Sequence, residues 1–257
     1  MKFETIKMYK YPSMIKTMGF CAASFALLSV LLKTGIVLIP EVSEVRICNA
    51  LACSYGIWFG PAGAWGCALG NLIGDLGGSF TILTPFGFIA NFLSAWVPYR
   101  MWNAFSTGPD TPKWVIRYLA CGVGSAASCC AVLGLSFDYF GSMPAVNSFI
   151  MTFCNNLSAN ILGLVLFAIM RKIPALDKLY WPVQMQGVAA FEKGKPKLSA
   201  AYSVLGLSAL ISAFSAIYMA SSNISFTQPD MYKNPLFLSL YLVYLIVVIF
   251  LCGFTLC

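Results

Sequence analysis

Apolar residues fill this chain in long blocks parted by short polar stretches, and a bilayer core of about 30 Å is crossed by roughly 17–25 apolar residues in helix. The blocks predict helices over 17–39, 46–59, 61–78, 85–102, 114–137, 146–170, 198–221 and 236–256. The second block is short and reads as tilted, broken or partly inserted. Gly60-Pro61 closes it with a sharp turn, with proline at a favoured first-turn position of the next helix. Residues 173–197, IPALDKLYWPVQMQGVAAFEKGKPK, change character: prolines, lysines and the Tyr180-Trp181 pair suit a segment lying at a membrane interface. The expected fold class is therefore all-α and polytopic. A six-helix bundle spans 1–172, a basic interfacial linker 173–197, and a two-span hairpin 198–257. The halves share no sequence repeat, so an inverted-repeat carrier gains no support.

Composition agrees with a membrane protein. Hydrophobic residues make up 59% and charged residues 10%, against about 25% charged in ordinary soluble domains. The net charge of +7 does not point to nucleic acid, because the basic residues lie between the apolar blocks. Lys2, Lys7, Lys10, Lys16, Arg100, Lys113, Arg117, Arg171, Lys172, Lys178, Lys193, Lys195 and Lys197 fall on one side of an eight-span topology. The other side holds Arg46 and Lys233, with Lys33 near the outer end of the first helix. That asymmetry places both termini in the cytoplasm. The Lys-rich start followed by an apolar run has the outline of a secretion signal, but the run is too long and no small-residue cleavage site follows, so a retained first span is expected.

Residues 60–78 read GPAGAWGCALGNLIGDLGG. Gly63, Gly66, Gly70, Gly74 and Gly77 recur three or four residues apart, which keeps them on one helix face. Small faces let helices approach closely in lipid. A phosphate-binding loop is excluded, since neither GxGxxG nor a following Lys-Ser/Thr is present. Asn71 and Asp75 each follow a glycine of this stripe and project beside the seam. An ionisable residue within a span marks a functional site by default, although solvation near the surface or a structural arginine pair explains it as well.

Other polar residues fall at a similar outer depth. The first loop supplies Glu41, Glu44, Arg46 and Asn49, the fourth helix Asn91, and the sixth Asn147, Asn155, Asn156 and Asn160. Buried amides need partners, so these side chains are expected to meet each other, water or a ligand. A single asparagine would be helix glue, contributing about 0.6 kcal/mol; many converging from separate helices favour a polar pocket open to the outside. The chain has no histidine, and Asp75 is the one carboxylate well inside a span, so a proton relay is unattractive. Haem, redox and hydrolytic chemistry lack their ligand or triad sets. The ten cysteines form no CxxC pair; most lie in apolar runs as small fillers, and no metal or cofactor is expected.

The stretch VRICNALACSYGIWFGPAGAWGCALGNLIGDLGG, followed by TPFGFIANFLSAWVPYRMW, resembles the substrate-binding S components of energy-coupling factor (ECF) vitamin transporters. The likeness covers about residues 15–172 and is most specific over 45–102. It implies a multi-pass protein of a prokaryotic plasma membrane that captures a small water-soluble micronutrient from outside. Its partners would be a transmembrane coupling (T) component and two ATPase subunits; no Walker motif occurs in the chain itself. Substrate contacts are expected from Glu44, Arg46, Asn49, Asn71, Asp75, Asn91, Asn155 and Asn156. Trp58, Trp65 and Trp96 are expected to pack or anchor. The first helix of such proteins carries a small-xxx-small docking surface, for which Gly19-xxx-Ala23 and Ala22-xxx-Ala26 are the candidates here; either equally serves internal packing. The two extra helices depart from the pattern. Two other readings stay open: a structural or assembly protein in which the glycines and amides only bind helices together, and an ion-coupled carrier with Asp75 and Lys33 as coupling charges.

Overall fold

A computed structural model describes residues 4–32, 36–39, 43–77, 80–104, 113–140 and 145–185. A short helix α1 (Glu4–Lys7) and a 3-10 turn (Met8–Lys10) lead into α2 (Pro12–Leu31). A two-stranded antiparallel hairpin follows, β1 (Ile36–Ile39) and β2 (Ser43–Val45), in register Ile36 to Val45 and Val37 to Glu44. Then come α3 (Asn49–Phe59), α4 (Pro61–Leu76), α5 (Thr84–Ala104), α6 (Trp114–Tyr139), α7 (Ala145–Met170), and the single turns α8 (Pro174–Asp177) and α9 (Trp181–Gln184). Of these, Pro12–Leu31, Trp114–Tyr139 and Met151–Met170 are long and apolar enough to cross a membrane by length and composition. The expected hairpin of spans 198–221 and 236–256 lies outside the described residues.

The first long helix departs from the expected 17–39: it begins at Pro12 and stops at Leu31, and 36–39 is strand. The β-branched Ile36-Val37 pair lies between Gly35 and Pro40, residues that end helices, and suits an extended backbone. The short second helix is intact. Its 11 residues make about 16 Å of helix, roughly half a hydrocarbon core.

Close backbone approaches hold the bundle together. A Cβ added at Gly66 would stand 2.3 Å from Cys21 Cβ, one at Gly70 2.7 Å from Phe25 Cβ, and one at Gly74 2.6 Å from Ser29 Oγ. The glycine face of α4 is thus the seam with α2, and it receives Ala22 and Ala26, both buried. Between α3 and α4 the chain reverses at Gly60, whose φ of 58° favours glycine. Pro98 in α5 cannot donate to the Ser94 carbonyl one turn earlier; Ser125 Oγ of α6 donates to that oxygen instead, at 2.7 Å.

Residues 173–185, expected at a membrane interface, pack against the bundle. Trp181 is buried, its ring against Gly60 and edge-on to Tyr99 at 5.1 Å between centroids. Trp58 Nε1 donates to the Leu176 carbonyl at 2.9 Å, and Thr17 Oγ1 donates to Gln184 Oε1 at 3.0 Å. The aromatic ring of Trp181 makes the segment a base plate for the bundle, because its apolar area is worth more buried than displayed.

Candidate functional site

The helices α4, α5, α6 and α7 pack each against the next, and α3 packs against α4, α5 and α7. At the end of the bundle opposite Trp181 these helices line an open cavity of about 400 Å³. Its wall takes Arg46 from the connection between β2 and α3, Asn49 from the start of α3, Asn71 and Asp75 from the end of α4, and Thr84, Gly87 and Asn91 from α5. Cys129, Leu133 and Phe137 of α6, and Met151, Thr152, Asn155 and Asn156 of α7, complete it, with Thr81 and Leu83 at the rim.

Asp75 is buried at the C-terminal end of α4, where the helix dipole opposes a negative charge. Asn71, one turn earlier, donates its Nδ2 to Asp75 Oδ2 at 3.2 Å. Gly87 faces this pair across the α4–α5 interface, and a Cβ there would lie 3.0 Å from Asn71 Nδ2. Asn91 turns inward on its own helix, donating Nδ2 to the Gly87 carbonyl at 2.9 Å. On the far side, Asn156 Nδ2 donates to the Thr152 carbonyl at 2.8 Å and to Cys129 Sγ at 3.3 Å, and its Oδ1 accepts from Asn49 Nδ2 at 3.4 Å. Asn156 therefore organises the floor with its own groups engaged. Arg46 is exposed at the mouth and Asn155 is half-buried.

The sequence-expected residues Arg46, Asn49, Asn71, Asp75, Asn91, Asn155 and Asn156 thus share one cavity wall. The backbone of Glu44 pairs with Val37 in the hairpin, and its side chain lies outside the described residues, as does Lys33. Asn160 sits one turn deeper than Asn156, donating to the Gly122 carbonyl at 3.0 Å, and does not line the cavity. Trp58, Trp65 and Trp96 also stand outside the wall. The docking candidates divide: Ala22 and Ala26 are consumed by the seam with α4, whereas Gly19 and Ala23 are exposed. Sequence reasoning passed over Thr152, Cys129, Thr84 and Gly87. Thr152 stands four residues before Asn156, on the same helix face, and that spacing was the available signal.

Chemically, the cavity is a polar cup with one carboxylate, several amides and an apolar flank from Leu133, Phe137 and Met151. No group of three or more His, Cys, Asp or Glu among the described residues is placed to hold a metal ion. Its size and mixed lining suit a small molecule. No curated protein and no solved structure matches the chain. Residues 15–172 match the family model described as QueT transporter, and the chain belongs to that family of ECF S components, the queuosine precursor transporters.

Proposed function

We propose that this chain captures a queuosine precursor, a 7-deazaguanine base, from the outer face of a prokaryotic plasma membrane and presents it to a T component driven by two ATPases. The observation that carries the reading is the buried Asp75–Asn71 pair in the cavity wall. A guanine-type edge offers adjacent N–H donors, which a carboxylate accepts with charge-assisted hydrogen bonds. The amides of Asn49, Asn91 and Asn155 supply further donors and acceptors around the ring, and Phe137 and Leu133 cover its faces.

The excess of basic residues on the side opposite the cavity supports an outward-facing mouth. The exposed Gly19 and Ala23 on α2 support docking of the T component there, since small residues permit close helix contact. The family match ends at residue 172, which supports a six-helix unit followed by a separate extension. The chain is a binding subunit with no chemistry of its own.

The test is calorimetric titration of the purified protein with 7-aminomethyl-7-deazaguanine. Wild type is expected to bind, and Asp75→Asn to bind about 10- to 100-fold more weakly, the worth of a hydrogen bond to a charged group. Absence of binding by wild type, or equal binding by Asp75→Asn, removes the assignment.

A further inference from the structure

Two amides on neighbouring helices meet the cavity from one wall. Asn71 of α4 and Asn91 of α5 are 6% and 8% exposed, and both line the cavity. Their neighbours fix which way each amide faces. Asn71 Nδ2 donates to Asp75 Oδ2 at 3.2 Å, and Asn91 Nδ2 donates to the Gly87 carbonyl at 2.9 Å. Turning either amide over would set its oxygen against another acceptor oxygen. Asn71 Nδ2 also lies 3.0 Å from where a Cβ on Gly87 would stand, so both amide nitrogens are turned to the backbone of α5 around Gly87. The two oxygens differ from that of Asn160, which is buried without a partner. Asn71 Oδ1 and Asn91 Oδ1 keep accessible surface and accept no hydrogen bond among the described residues. With the Asp75 carboxylate beside them, the α4–α5 wall presents oxygen acceptors to the cavity.

We propose that Asn91 Oδ1 receives the exocyclic 2-amino group of the base, next to the ring N–H held by Asp75. A wall of acceptors is complementary to an edge of donors, and the amino group adds two N–H donors to the one in the ring. Gly87 joins the two contacts: it faces the Asp75–Asn71 pair, and Asn91 stands one turn further along α5. Having no side chain, it leaves the edge of the base a path to both. Replacing the 2-amino group by hydrogen leaves the Asn91 oxygen unpaired in a desolvated place. Replacing it by oxygen sets acceptor against acceptor, which rejects the base more strongly. Asn91 is thus a specificity-determining residue that separates 2-amino bases from 2-oxo and unsubstituted bases of the same outline. This inference rests on the deazaguanine reading above.

The experiment titrates wild type, N91L and N91A with 7-aminomethyl-7-deazaguanine and with its analogues in which the 2-amino group is replaced by hydrogen or by oxygen. Wild type is expected to bind the 2-amino base about tenfold more tightly than the 2-hydrogen base, the worth of one hydrogen bond with its acceptor otherwise left unpaired. The 2-oxo base is expected to bind weakest of the three. In N91L and N91A the ratio between the 2-amino and 2-hydrogen bases is expected to fall to about one or two; a merely structural role for Asn91 would weaken both bases alike and leave the ratio unchanged. The wild-type series alone decides whether the wall reads donors. No binding of 7-aminomethyl-7-deazaguanine by wild type overturns the deazaguanine reading and this inference with it. Equal binding of the three bases by wild type, a 2-oxo base that binds better than the 2-hydrogen base, or a full wild-type ratio kept in N91L or N91A overturns this inference alone.

Discussion

Gly66→Ala tests the seam between α2 and α4. The new Cβ would stand 2.3 Å from Cys21 Cβ, 3.0 Å from the Met18 carbonyl oxygen and 3.2 Å from the Ala22 nitrogen. Ordinary carbon contacts lie at about 3.5–4.0 Å, so the helices must part by about 1 Å. The obstacles are backbone and a Cβ fixed to it, so no rotamer change relieves them. Overpacking of this kind costs about 1–3 kcal/mol, and alanine returns about 1 kcal/mol of helix propensity. With the clash at the upper end, the net loss is about 2 kcal/mol, or about 4–8 °C in Tm for a protein of this size. Gly19 is the control, because a Cβ there meets nothing within 4 Å and Gly19→Ala gains propensity only. A thiol-reactive fluorophore reads unfolding directly: among the described residues Cys21, Cys48, Cys53, Cys67, Cys121, Cys129 and Cys130 are buried and Cys154 is exposed, and the labelling of the folded protein sets the baseline. A Gly66→Ala protein that melts with wild type, or a Gly19→Ala protein that falls as far, refutes the close-packing argument.

Trp181→Ala removes the buried ring under Gly60 and is expected to cost about 3–5 kcal/mol, read with the same dye, and to speed tryptic cleavage after Lys178; an unchanged melt would detach the 173–185 segment from the bundle. Asn156→Ala is expected to weaken 7-aminomethyl-7-deazaguanine binding about tenfold and also to lower stability without ligand, because it takes the acceptor from the Asn49 amide and the donors from the Thr152 carbonyl and Cys129 Sγ. Loss of binding with stability untouched would make Asn156 a direct contact rather than an organiser.

Much of the cavity lining was legible because lipid punishes polar groups. Asn71, Asp75, Asn91 and Asn156 stood out against apolar surroundings, and a two-sided assignment of basic residues put them at one depth. What the pattern did not reveal was how each amide is used. Asn156 and Asn91 are bound largely by their own surroundings, a matter of rotamer and neighbouring helix that no spacing encodes. Thr152 escaped notice because threonine is common in helices. The end of α2 was misjudged because hydropathy is blind to conformation: 36–39 is as apolar as a helix and yet is strand. Likewise, the small residues of α2 line two faces, and only the packing tells that Ala22 and Ala26 meet α4 while Gly19 and Ala23 do not.

The glycine seam and the polar cup are one device. Asn71 follows Gly70 and Asp75 follows Gly74, so each polar side chain is set about 100° around the helix from a backbone contact. Contacts at Gly70 and Gly74 to Phe25 and Ser29 fix both the height and the rotation of α4. A carboxylate at a helix C-terminus is unfavourable unless donors such as the Asn71 amide compensate it, and such compensation demands that its position not drift. Larger residues in the seam would let α4 turn or slide, carrying Asp75 towards lipid or away from α7. Glycine, poor for a helix in water, is what permits a polar wall to be held at a defined place within an apolar medium.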